Sequence, residues 1–135
     1  MSLGKPKTIR QIMRKAHDTA TQKGWWVALD GSGQRSLAES IALIHSELSE
    51  ALEEHRRGSK HIAIEFSPSA DPIADPHKPV GVAIELADAV IRIADTCQRF
   101  GIPLAEAIEI KLKYNKKRPG YRPKPPHNDH PPENP

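Results

Sequence analysis

The sequence predicts an all-α protein built as a four-helix bundle, and three observations lead there. Apolar residues recur at helical rather than alternating spacing through four stretches of the chain. Each stretch is bracketed by residues that start or stop helices. With only two Phe, two Tyr and two Trp in 135 residues, the core must be aliphatic and modest, within a single domain.

The first helix is expected from Thr8 to about Lys23, with Ile9, Ile12, Met13, Ala16 and Ala20 on one face and Gly24 ending it. The second starts at Ser36, an N-cap with Glu39 three residues on as in a capping box, and runs to Arg57 before Gly58. The third spans about Val80 to Phe100, bounded by Pro79 and Gly101. The fourth begins near Pro103 and stops before Pro119. Between the second and third lies a connection carrying Pro68, Pro72, Pro76 and Pro79, in which His61–Phe66 ("HIAIEF") is a candidate short strand. Six more prolines follow Pro119, which predicts a disordered tail. The expected organisation is a helical domain over 1–118 and a proline-rich basic tail over 119–135.

The charge is unevenly spread. From Lys111 onward there are seven basic residues against Asp129 and Glu133, while residues 1–110 hold 13 basic and 15 acidic residues. A mildly acidic body with a basic end points to phosphates as partners, on a small molecule or on nucleic acid. A single cysteine, Cys97, excludes an internal disulfide and fits a reducing compartment. No apolar run approaches the length of a membrane span, and no signal-peptide core is visible, so a cytoplasmic protein is expected.

Projection of the third helix places Glu85, Asp88, Arg92, Asp95, Thr96 and Arg99 in one narrow sector, and the remaining arc of roughly 220° is apolar. A helix so widely apolar needs cover on more than one side. That predicts a homodimer or homotetramer. On the second helix Glu47 has Leu43 and Ala51 one turn away on either side, so its carboxylate borders the core.

Two carboxylate pairs stand out, Glu47-x-x-Glu50 and Glu85-x-x-Asp88. Spacing of i, i+3 aims both members of a pair from one helix face. Antiparallel packing would set the pairs opposite each other, at a repulsive cost of roughly 1 kcal/mol per pair in water and several times that when partly buried. A divalent cation offsets that repulsion, and oxygen-only ligands favour Mg²⁺, with Mn²⁺ as a substitute. The competing reading is an ion-pair ladder along the third helix, Asp88 with Arg92 and Asp95 with Arg99. A di-iron bundle needs Glu-x-x-His, and no Glu here has His three residues later.

This arrangement resembles the MazG-like all-α nucleoside triphosphate pyrophosphohydrolases, a superfamily that also includes dimeric dUTPases. The matching pieces are "ELSE" (Glu47–Glu50), "ELAD" (Glu85–Asp88), "KGWW" (Lys23–Trp26) and "KLKYNKKRP" (Lys111–Pro119), over roughly residues 8 to 122. The resemblance implies hydrolysis of an NTP or dNTP to the monophosphate and pyrophosphate. Glu47, Glu50, Glu85 and Asp88 would hold Mg²⁺, and Lys111, Asn115 and Arg118 would reach phosphates and sugar. Many relatives carry a further Glu directly before the first motif carboxylate, where this chain has Ser46, so the general base stays open, with Glu50 favoured.

Trp25 and Trp26 are read two ways: stacked on a base, or plugging the end of the bundle. His17 and His45 are expected at the surface or core edge rather than as ligands, His127 and His130 as adventitious metal binders at most, and Cys97 as a small core residue. The rival function is a non-enzymatic helical interaction module with a nucleic-acid-binding tail. Its only tail aromatic is Tyr121 and it carries no nucleic-acid motif, so nucleic acid is the less favoured partner.

Overall fold

A computed structural model of the chain describes residues 7–28, 31, 33–57, 64–68 and 77–120. Four helices, α1 (Ile9–Gln22), α2 (Leu37–Arg56), α3 (Val82–Arg99) and α4 (Leu104–Lys117), account for most of it. A two-stranded antiparallel hairpin, β1 (Glu65–Pro68) and β2 (His77–Val80), lies between α2 and α3. Among the described residues, no helix is long and apolar enough to cross a membrane.

Local chemistry explains the helix ends. Ser36 accepts a hydrogen bond from the Glu39 amide at 3.2 Å, and the Glu39 carboxylate accepts from the Ser36 amide at 2.7 Å. Thr8 and Gln11 form the same reciprocal box at the start of α1. Each box satisfies two amides that have no partner within the helix. At its far end α1 closes with Trp25 N–H on Ala20 O and Gly24 N–H on Thr21 O. The pattern repeats after α3, from Ile102 to Cys97 and from Gly101 to Gln98. Gly101 sits there at φ 65°, a left-handed conformation that a side chain would strain. That turn aims α4 away from α3.

The third helix starts two residues later than the periodicity predicts. Val80 is still paired with Glu65 across the hairpin, and Gly81, at φ 102°, makes the bend into α3. The candidate strand over His61–Phe66 is found displaced, as Glu65–Pro68; residues 61–63 of that expectation lie outside the described residues, as does the proline-rich tail from 121.

α3 is the centre of the molecule. α1 and α2 pack against it from two sides, both antiparallel to it: Glu47 meets Arg92 while Glu50 lies by Glu85, and Met13 packs on Cys97 while Ala20 lies near Asp88. The buried positions are mostly small, namely Ala20, Ala51, Ala89, Ala94 and Cys97, with Met13 and Trp26 the large exceptions. Among the described residues, no large side chain is fully buried. Alanines let helix axes approach closely, but they remove little apolar area from water, at roughly 25 cal/mol per Å². The larger aliphatics of α3, Leu86, Val90 and Ile91, are half-exposed on its third side, and so are Ile41, Leu48 and Leu52 on α2. Of the four expected helices, three pack along their length and the fourth joins them at its first turn. α4 joins the rest of the chain at its start, through the Arg10–Glu106 ion pair to α1 and through Leu104, which with Ile102 packs on the cluster of Met13, Ala94 and Cys97.

Candidate metal centre

α2 and α3 bring their carboxylates together. Glu47, Glu50 and Glu85 each place a carboxylate oxygen within 4.8 Å of the others. Glu47 is buried, Glu85 half-buried and Glu50 open to solvent. Asp88, one turn along α3, completes the quartet electrostatically: its negative charge bears on Glu85, and that of Glu47 bears on Asp88.

The crowding is visible in the proton affinities. Burial pushes the Glu85 carboxyl above its ordinary value, and Glu50, Asp88 and Glu47 push it further, in that order. Asp88 is raised by burial first and by Glu47 second, while Arg92 and Lys78 pull it back. Arg92 donates through Nε to the buried Glu47 carboxylate. Lys78, exposed on β2, bears on both Glu85 and Asp88. Four carboxylates face two cations, and full ionisation leaves two formal negative charges. Like charges about 4 Å apart repel by roughly 1 kcal/mol in water and about 4 at a partly shielded surface. An all-oxygen donor set with residual charge of two fits a hard divalent ion such as Mg²⁺.

The contacts of α3's charged residues run to other elements rather than along the ladder of the competing reading. Arg92 reaches across to α2. Asp95 accepts from Trp26 Nε1 at 3.0 Å, and its Oδ1 lies 2.8 Å from His17 Nδ1 on α1. Arg99 donates to Gln34 at 3.1 Å and lies over the Trp26 ring. Trp26 is thus the plug of the two readings given to the tandem Trp: buried, edge-on to His17 and Phe100, and flanked by Arg35 and Arg99. Trp25 is 55% exposed and lines a cavity of about 370 Å³ with Arg35, Leu43, Asp88, Arg92 and Asp95. Because Asp88 and Arg92 belong to both, that cavity opens directly beside the carboxylates. The Arg35 Nε in its wall is buried and has no hydrogen-bond partner among the described residues.

The basic end of α4 is not brought to the carboxylates of its own chain. Lys111 Nζ lies 5.0 Å from the centroid of the Tyr114 ring and the Arg118 guanidinium 5.9 Å from it, and Asn115 is exposed. The cations that bear on Glu85 and Asp88 are Lys78 and Arg92 instead. Lys78 escaped the sequence reading because it sits in a stretch read as an irregular connection, and nothing local marks it. His17 was read as a core-edge residue; its bond to Asp95 depends on how α1 crosses α3, which periodicity does not specify. His45 is exposed, and Cys97 is buried in the core, its thiol pushed up by burial. Comparison with protein-family models, with curated proteins and with solved structures finds no match to this chain.

Proposed function

We propose that this chain is a Mg²⁺-dependent nucleoside triphosphate pyrophosphohydrolase of the MazG-like kind, cutting an NTP or dNTP to the monophosphate and pyrophosphate. The observation that carries the reading is the convergence of Glu47, Glu50 and Glu85, with Asp88 beside them, against too few cations to neutralise them. A bound Mg²⁺ supplies positive charge to the phosphates and lowers the pKa of the attacking water. Glu47, held by Arg92, is the fixed ligand, and Glu85 and Asp88 face it from α3. Glu50, the most open of the set, is placed to take the proton from water, the role that Ser46 cannot fill. Lys78 faces the same space and can meet a phosphate oxygen. The cavity beside Asp88, with Trp25 at its edge and Arg35 and Arg92 in its wall, receives the nucleoside half of the substrate. The protein works in the cytoplasm as a homodimer or homotetramer, which covers the half-exposed aliphatics of α2 and α3.

The test is a panel of NTPs and dNTPs incubated with purified protein and Mg²⁺, with separate detection of pyrophosphate and orthophosphate. Pyrophosphate is the expected product. Glu50→Gln should lose about 10²–10⁴-fold in turnover, the usual worth of a general base. Asp88→Asn should also lose turnover, with the helical circular dichroism of both variants unchanged. Orthophosphate as the product, or full activity in either variant, would sink the assignment.

A further inference from the structure

The cavity beside the carboxylates has two chemically distinct ends. At the near end stand Asp88 and Arg92, and Arg92 is spent on Glu47. At the other stands Asp95, two turns further along α3 and roughly 10 Å away along the helix axis. A nucleoside reaches about that far from its 5′ oxygen to the outer edge of its base. The volume of about 370 Å³ lies at the small end of the roughly 300–1,000 Å³ of ligand pockets, room for base and sugar with phosphates outside on the carboxylates. Ala16, Ala20, Leu43 and Ile91 supply apolar walls for a flat ring.

The far end carries one acid and one cation, and neither is spent on the other. Asp95 uses Oδ1 twice, accepting from Trp26 Nε1 at 3.0 Å and lying 2.8 Å from His17 Nδ1. Among the described residues its Oδ2 takes no hydrogen bond, although the side chain is only 14% exposed. Arg35 donates through Nη2 to the Trp25 carbonyl and lies over the Trp26 ring. Its Nε is buried without an acceptor among the described residues, a state that costs free energy until a ligand atom meets it. Both side chains are tied to Trp26, Asp95 at the indole N–H and Arg35 over the ring face, so their spacing is set before any ligand arrives.

We infer that this cavity selects guanine, with Asp95 and Arg35 as its specificity residues. Resting on the pyrophosphohydrolase reading, the substrate is then GTP or dGTP. An ionised carboxylate only accepts hydrogen bonds. Guanine offers it two neighbouring donors, N1–H and the 2-amino group. Adenine and cytosine each offer one amino group beside a ring acceptor, and uracil one N–H between two carbonyls. The remaining acceptors must face a donor, and guanine O6 and N7 form the pair that an arginine fork meets bidentately. Adenine leaves Arg35 with N7 alone, and a pyrimidine has no N7. Only guanine satisfies both side chains at once.

The experiment titrates the full chain by calorimetry, in metal-free buffer, with GMP, AMP, CMP and UMP. GMP should bind about 10-fold or more tighter than the other three. IMP, which lacks the 2-amino group, and 7-deaza-GMP, which lacks N7, should each bind several-fold more weakly than GMP. In Asp95→Asn the gap between GMP and IMP should close, and in Arg35→Gln the gap between GMP and 7-deaza-GMP, each with helical circular dichroism retained. Should Asp95→Asn fail to fold, the two analogues on the wild-type chain still decide. Equal affinity for the four bases, preference for another base, no binding of GMP at millimolar concentration, or IMP and 7-deaza-GMP binding as well as GMP overturns the proposal. None of these readouts uses turnover. Pyrophosphate release indifferent to the base sinks the guanine site and leaves the hydrolase standing, whereas guanine-selective binding without pyrophosphate release does the reverse.

Discussion

α3 and α4 are successive helices separated by one tight turn, yet the chain treats them in opposite ways. α3 is packed from two sides, buries Ala89, Ala94, Thr96 and Cys97, and holds two of the four site carboxylates. α4 buries nothing and keeps Ile110, Leu112 and Tyr114 in the open. The difference is one of residue size and placement rather than of helix propensity. On α3 the fully buried positions are small, Ala89, Ala94, Thr96 and Cys97, while Leu86, Val90 and Ile91 are left half-exposed. Among the described residues, α4 touches the chain only near its start, at Leu104 and Glu106, and its second half carries large or charged side chains left in solvent. One helix is packed on two sides within the chain, and the other keeps most of its length in solvent.

The largest effect that can break this contrast is at the end of α3. Trp26 seals the space between α1 and α3, with its indole N–H on Asp95 and its ring against Phe100 and His17. Trp26→Ala removes that plug and leaves the inner carboxylate oxygen of Asp95 short of a donor. A loss of about 3–5 kcal/mol in unfolding free energy is expected, as for other buried Trp or Phe truncations. Trp25→Ala next door, at an exposed side chain, should change stability by less than about 0.5 kcal/mol. Urea titrations of the two variants make the check. Equal costs would mean that the burial difference between the two indoles is not real.

How much of this was legible in the sequence follows from the same asymmetry. The helices were readable because their signals are local: Ser36 with Glu39, Gly24 and Gly101 as stops, and an apolar repeat between them. The meeting of Glu47 and Glu50 with Glu85 was readable too, since i, i+3 pairs on adjacent helices need only antiparallel packing to face each other. Contacts set by how elements cross were not. Arg92 leaves Asp88 for Glu47, Asp95 chooses His17 and Trp26 over Arg99, and Lys78 reaches the site from a hairpin whose prolines mask its strands. The fourth helix was found, but its place was not. Its apolar residues gave it the look of a bundle member, and sequence does not say whose bundle.

A smaller effect sharpens the comparison by treating the two helices alike. Ala94 is 2% exposed at the α1 interface, so Ala94→Leu forces extra volume between close axes. Overpacking of this kind costs about 1–3 kcal/mol. Ile110→Ala on α4 should leave the stability of the isolated three-helix core within about 0.5 kcal/mol of wild type at protein concentrations too low for association. If the proposed homo-oligomer buries Ile110, its cost should grow at high concentration, because the lost contacts then enter through mass action. A concentration-independent penalty for Ile110→Ala would place α4 inside its own chain's core, contrary to its exposure.

The smallest expected effect lies in the charges of α3, and its sign is the informative part. Burial and three neighbouring carboxylates raise the Glu85 carboxyl above its usual value near 4.5. The folded chain therefore holds a proton that the unfolded chain releases, and stability tied to this group is present below the ordinary carboxylate value. It is lost as pH climbs through the raised one. At neutral pH, without metal, ionised Glu85 is a burden, so Glu85→Gln should melt slightly higher than wild type. The two curves should converge or cross on acidification toward the usual carboxylate range. Asp88, raised by burial and by Glu47, should add in the same direction. On α4 the opposite holds: Glu106 is lowered by a backbone hydrogen bond and by Arg10, so it favours the folded chain at neutral pH, and Glu106→Gln should gain nothing. Mg²⁺ then separates a site from a mere crowd of acids. If Glu85 helps to hold the ion, saturating Mg²⁺ raises the wild-type melting temperature above that of Glu85→Gln and reverses their order, because an ion bound only to the folded chain adds to its stability. If the order stays as it was without metal, the carboxylates are crowded for some reason other than a cation, and the comparison of α3 with α4 reduces to packing alone.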